Sequence, residues 1–176
     1  MVLSGGGGRL LVDALDSDVT VASALVSLTA ISLSGPSLTS LLEDDRLMTR
    51  LLELASKNSP DALGLIGSLL ATDEAASESL MAVQGYVTLM GLLDGGDASA
   101  SEKASHALIL ILQKETRLEL LLEAGVIERL LTASARGGAE GGAADGALEL
   151  IAASSEANQK RIEGARAVAA LEASFA

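Results

Sequence analysis

The chain has 176 residues, no cysteine, a net charge of −12 and only two aromatic side chains, Tyr86 and Phe175. Leu, Ala, Val and Ile must therefore build the core, and because Ala and Leu are strong helix formers, we expect an all-α protein. The composition excludes disulfides and thiolate metal sites. The scarcity of Lys and Arg disfavours binding to nucleic acid or to an anionic membrane surface.

The N-terminal segment 1–8, "MVLSGGGG", is predicted to be a flexible lead before a first helix over Arg9–Asp16. It has no basic stretch followed by an apolar core, so it does not resemble a secretory signal, and we expect a cytoplasmic location. The next segment, 19–42, carries no charge for 24 residues. It is rich in Ser and Thr and is broken at Gly35-Pro36, which favours two buried helices over a membrane span.

Three markers then recur along the chain with a period of about forty residues. Short blocks begin with an apolar residue and contain Gly or Asp; these residues are Leu42, Val83, Leu122 and Ile162, spaced by 41, 39 and 40. Apolar pairs recur with the same period, one before the first block and one after each block, and their second members are Leu11, Leu52, Leu93, Leu131 and Leu171. An Ala-Leu pair begins at Ala24, Ala62, Ala107 and Ala147. Three markers with one period predict a helical solenoid, because each unit alone has too small an apolar face to close a core.

Within each period the sequence predicts a short helix, a break at glycine, a second helix and a longer third helix. The block "LEAG" ending at Gly125 is the clearest example of the break, since glycine allows a sharp turn that would strain another residue. The stretches "KASHALILILQKETRLELLLEAGVIERLL" (103–131) and "GALELIAASSEANQKRIEGARAVAALEAS" (146–174) resemble armadillo repeats, with Asn158 in a loop and a short helix that ends at "IEG".

The armadillo resemblance implies a right-handed α-solenoid of about four three-helix repeats, with no sheet and twelve or thirteen helices. We place the repeats at about 17–57, 58–97, 98–136 and 137–176, in one domain over 9–176. Repeats of the HEAT type are the alternative, but their two-helix unit explains the short additional helix less well. The last helix is expected over Ala165–Phe175.

The sequence offers little catalytic chemistry. His106 is the only histidine, and no nucleophile pattern accompanies it. The glycine-rich stretches at 5–8 and 137–146 lack the Gly-Lys-Ser/Thr ending of a phosphate-binding loop, so both are interpreted as linkers. We therefore expect no enzymatic activity, no cofactor and no metal site.

The resemblance instead implies a protein–protein interaction scaffold, which binds through the concave surface formed by the third helices or through the ends of the solenoid. The expected partner is a peptide or a helix of another protein, with a basic segment as one candidate. Self-association or a larger complex is the alternative. No basic residue lies between Lys57 and Lys103, which indicates either an acidic surface for such a partner or a solvated face. The candidate partner-binding residues are Lys103, His106, Gln113, Leu171 and Phe175.

Two further inferences concern the class of scaffold. Family members such as importin-α hold peptides with Asn and Trp on the third helix, and the matching segments of this chain have neither. We therefore expect that basic import peptides do not bind with the affinity of an import receptor. The alternative function is a co-chaperone, either of the myosin-folding UCS type or an exchange factor for heat-shock ATPases, although no motif fixes it.

Overall fold

The computed structural model describes residues 7–33, 42, 45–95, 97–113 and 115–175, and within these ranges every regular element is an α-helix. The all-α prediction is confirmed, and the described ranges contain eleven helices. They are α1 (Gly7–Ala14), α2 (Val21–Leu33), α3 (Asp45–Ser56), α4 (Pro60–Thr72), α5 (Glu74–Ala82), α6 (Gly85–Asp94), α7 (Ala98–Leu112), α8 (Glu115–Glu123), α9 (Val126–Ala135), α10 (Gly138–Ser154) and α11 (Glu156–Ser174).

The chain forms two compact units, Met1–Thr88 and Leu89–Ala176, and the boundary falls inside α6. In the first unit, α4 packs against α2, α3 and α5. In the second, α10 packs against α7 on one side and against α9 and α11 on the other. No helix in the described ranges is both long enough and apolar enough to cross a bilayer.

The Ala-Leu marker identifies the core of each third helix. The two residues of every pair lie in α2, α4, α7 or α10, and all eight side chains are buried. Alanine lets neighbouring helix backbones approach closely, while leucine fills the space between them. The predicted repeat position is therefore a packing position in both units.

The helix starts agree with the turn residues of the sequence. The Ser59 hydroxyl accepts a hydrogen bond from the Ala62 amide ahead of Pro60, and Asp97 accepts one from the Ala100 amide at the start of α7. Such caps satisfy amides that have no partner inside the helix. By contrast, α10 begins after Gly137, with φ of +71° and no side-chain cap.

The predicted break between first and second helices is achieved differently in different repeats. At Gly125 the backbone φ is +81°, as predicted. In the preceding repeat the positive φ belongs to Gln84, at +54°, and Gly85 is required because a Cβ there would lie 2.6 Å from Cδ1 of Leu52. The break predicted at Leu42–Asp45, like Gly35-Pro36, lies largely outside the described residues.

The last two helices of the predicted pattern are one helix. α11 continues through Gly164 to Ser174, so the break predicted there is wrong, and Asn158 lies in the first turn of α11 instead of in a loop. Gly125 is followed by Val126 and Ile127, both buried, whereas Gly164 is followed by Ala165 and Arg166. A bend at Gly164 would thus bury little apolar surface, and the alanine-rich segment stays helical.

The N-terminal boundary also differs from the prediction. α1 begins at Gly7, so Gly7 and Gly8 are helical and do not belong to a flexible lead, while residues 1–6 lie outside the described ranges.

Arginine side chains connect helices of neighbouring repeats within each unit. Nε of Arg50 donates to the Leu15 carbonyl at 3.1 Å, and Nη1 of Arg129 donates to the Met90 carbonyl at 3.3 Å and pairs with Asp94. The Leu15 carbonyl directly follows α1, where carbonyls lack intrahelical partners and carry partial negative charge, whereas the Met90 carbonyl lies one turn before the end of α6. Arginines engaged in this way serve the fold.

Candidate functional site

The exposed side of α7 and α10 in the second unit carries most of the polar residues that the sequence singled out. His106 and Gln113 are exposed and Lys103 is half-buried, and their spacing places them on one side of α7. On α10, Gly142, Glu149 and Ala153 are exposed at helical spacing. We call these six residues the third-helix face.

The two helices of this face are in direct contact. A Cβ placed on Gly146 of α10 would lie 3.7 Å from Cδ1 of Ile109 on α7. Ile109 is half-buried between His106 and Gln113, so the contact fixes how the two exposed rows are placed beside each other. The third-helix face is therefore one continuous surface on two packed helices.

The polar groups of the face are free to bind a partner. In the described part of the chain, Lys103, His106 and Gln113 make no side-chain hydrogen bond or ion pair. The nearby Asp145 differs, because Ser134 donates to its Oδ1 at 2.6 Å. Lys103, His106 and Gln113 can therefore bind a partner without breaking an internal bond, whereas Asp145 helps to hold α10 against α9.

A groove opens where α7 and α10 end, with a volume of about 830 Å³. It is bounded by the C-terminal ends of these two helices, by α8 and by the first turns of α11. We call it the α8 groove. Its apolar lining consists of Leu112, Leu118, Leu122, Leu150 and Ala153, and its polar lining includes Gln113, Glu119, Glu123, Ser154, Asn158 and Arg161.

The charged side chains that line the α8 groove differ in whether they interact with other residues of the chain. Nη2 of Arg161 donates to the Leu122 carbonyl at 3.4 Å, which places the guanidinium across one side of the groove. Glu119 and Glu123 are both exposed, and neither forms an ion pair with another described residue. The wall formed by α8 is therefore acidic and available.

Leu171 and Phe175 lie on a different surface. Both are on the second half of α11 or directly after it, 60% and 83% exposed, with Val168 exposed on the same helix. Among the residues at the same repeat position as Leu171, Leu52 and Leu93 are buried and Leu11 and Leu131 are half-buried. Leu171 is ten residues beyond Arg161, or about 15 Å along the helix at about 1.5 Å per residue.

The structure thus divides the five predicted residues between two places. Lys103, His106 and Gln113 share one face of α7, and Gln113 also lines the α8 groove; Leu171 and Phe175 form a separate apolar surface. No three His, Asp or Glu side chains within the described ranges are placed to hold a metal ion.

Sequence reasoning missed Asn158 and Arg161 as groove residues. The signal was Ser155, which caps α11 by accepting from the Asn158 amide at 3.1 Å and so fixes the start of that helix beside α8. Recognising this cap would have placed Asn158 and Arg161, three residues apart, on one side of a helix.

By sequence, no family model and no curated protein matches the chain. Among solved structures it is similar to computationally designed armadillo repeat proteins for modular peptide recognition, with a TM-score of 0.76 and 21% identity over 90% of this chain and 70% of that one. A designed armadillo repeat protein in complex with the peptide (KR)4 gives a TM-score of 0.76 and 20% identity over 89% of this chain and 69% of the other. The fold predicted from the sequence, an armadillo-like stack of helical repeats, is confirmed.

Proposed function

We propose that this chain is a non-enzymatic protein-binding scaffold, and that the third-helix face of its second unit holds a peptide or a helix of the partner. The observation that carries the proposal is that this face joins two packed helices and keeps Lys103, His106 and Gln113 out of internal bonds. A surface whose polar groups are not needed by the fold can bind a partner at no cost to folding.

The comparison supports this proposal at the level of fold. One of the similar solved structures is of proteins designed for modular peptide recognition, and another is of a designed armadillo repeat protein in complex with (KR)4. The third helices of this chain lack the Trp and Asn that clamp peptides in import receptors. Contacts on the third-helix face therefore depend on its shape and on the side chains of Lys103, His106, Gln113 and Glu149. A cytoplasmic location is part of the proposal.

Self-association is the second role that we propose, through the exposed apolar surface of α11. Its support is the contrast between Leu171, which is 60% exposed, and its buried repeat equivalents Leu52 and Leu93. Exposed apolar surface of this kind marks interaction sites in soluble proteins. The occupant that we propose is a second copy of this chain.

A peptide-display selection against the 176-residue chain tests the scaffold proposal. Selected peptides are titrated against the wild type and against the double variant His106→Arg/Gly142→Arg, which places long side chains across α7 and α10 at exposed positions. The matched control is Thr132→Arg/Ala135→Arg on α9, where both positions are also exposed and the change in charge is the same.

We expect the face variant to bind the selected peptides about tenfold more weakly or worse, because a blocked central contact removes most of the binding energy. The α9 control should bind as the wild type does. Equal binding by wild type, face variant and control would refute the proposal that the third-helix face is the binding surface.

A further inference from the structure

We propose that the α8 groove is the anchoring subsite for a partner segment that is extended and alternates basic, aliphatic and basic side chains. This inference rests on the proposed function, since it names the partner chemistry at one end of the third-helix face. Gln113 belongs to both the face and the groove, so a bound segment can run from one into the other.

The apolar lining of the groove is suited to one aliphatic side chain of the partner. Leu118 and Leu122 of α8 are almost buried at its base, and Leu150 of α10 is half-exposed opposite them. A volume of about 830 Å³ is in the range of about 300–1,000 Å³ that holds a drug-sized ligand, and so admits a few residues of peptide. No aromatic ring lines it, and leucine or isoleucine matches these surfaces.

The two glutamates of α8 determine the charge and the spacing of the partner residues on either side of the aliphatic one. Glu119 and Glu123 are four residues apart on α8, so their Cβ atoms are about 6 Å apart on one side of the helix. Alternate residues of an extended chain are about 6.6 Å apart and point to the same side. Two basic residues separated by one position therefore match the two carboxylates, and the residue between them points away from these carboxylates toward the apolar lining of the groove.

Side-chain amides at the edge of the groove can bind the backbone of such a segment. Nδ2 of Asn158 donates to Oγ of Ser154 at 2.9 Å, which orients the amide and leaves its Oδ1 as an acceptor. Gln113 offers a second amide from the end of α7. An extended segment needs partners for its backbone groups, and the groove provides one amide on each of two helices.

The test uses the full chain labelled with ¹⁵N and the probe peptide acetyl-Gly-Lys-Leu-Lys-Gly-amide. Two further probes replace either both lysines by glutamate or the leucine by serine. The groove variant is Glu119→Lys/Glu123→Lys, and the charge-matched control is Glu78→Lys/Glu172→Lys, with one exposed site in the middle of α5 and one near the end of α11.

We expect the Lys-Leu-Lys probe to shift only amide signals within residues 112–123 and 150–161. Its affinity should fall about tenfold in the groove variant but not in the control, because two exposed charge pairs together contribute about a factor of ten to the affinity. The Lys-Ser-Lys probe should bind more weakly to wild type. Equal weakening in groove and control variants would show a non-specific charge effect and overturn the inference. Tighter binding of the Glu-Leu-Glu probe would overturn it as well, because Arg161 would then select the partner.

The inference and the proposed function fail in distinguishable ways. If display-selected peptides are blocked by His106→Arg/Gly142→Arg while no probe shifts the groove amides, the scaffold proposal stands and the groove inference is wrong. If neither selected peptides nor probes bind the chain, both are wrong.

Discussion

Truncation of Leu93 and Leu171 to alanine compares the same repeat position in two environments within one unit. Leu93 is fully buried in the last turn of α6, whereas Leu171 is 60% exposed on α11. Alanine and leucine have nearly equal helix propensity, so differences between the two variants report packing. Because both residues belong to the second unit, they affect the same unfolding transition.

The magnitudes follow from burial. The change removes three carbon atoms, worth about 2.4 kcal/mol of transfer free energy at about 0.8 kcal/mol each. At Leu93 a cavity adds to this, so the free energy of unfolding should fall by about 3–5 kcal/mol. At Leu171 only about two fifths of the side chain is covered and no cavity forms, so we expect a loss of about 1 kcal/mol.

Urea unfolding followed by far-UV circular dichroism at low micromolar concentration measures both losses, with the m-value checked for constancy. Low concentration matters, because a second copy on α11 would cover Leu171 and increase its loss. Equal losses for the two variants, with no dependence on concentration, would refute the reasoning. Leu171 would then be packed within its own chain, and the surface proposed for self-association would not exist.

Three further predictions follow from the same structure. Sedimentation of the wild type at tens of micromolar should show association that Leu171→Glu/Phe175→Glu abolishes, and a clean monomer for both proteins would contradict this. Gly164→Ala should raise the free energy of unfolding by about 0.5–1 kcal/mol, because α11 is continuous there and a Cβ meets nothing within 4 Å. Gly125→Ala should lower the free energy of unfolding by about 1–3 kcal/mol, because φ is +81° at that position. Urea unfolding measures both changes, and a lower free energy of unfolding for Gly164→Ala would indicate a break in α11. Classical basic import peptides should not bind with submicromolar affinity at physiological salt, because salt screens the attraction between exposed charges. Fluorescence titration measures this affinity.

Much of the candidate site follows from helical spacing alone. Lys103, His106 and Gln113 are separated by three and seven residues, which places them on one side of any helix that contains them. The α8 groove could not be predicted in this way, because it combines α7, α8, α10 and α11. Its shape depends on where Ser155 starts α11 and on how closely α10 approaches α7 at Gly146.

The sequence by itself determined the helical class, the forty-residue period and the buried Ala-Leu positions of the third helices. Ala and Leu at fixed spacing favour helices that must stack, and this preference is local and periodic. Tertiary structure alone decided which glycines break a helix. Gly125 bends the chain because Val126 and Ile127 gain burial beyond it, whereas Gly164 stays helical because Ala165 and Arg166 gain little. The short motif is almost the same in both places, and the difference lies in the apolar surface that the following residues can bury against their neighbours.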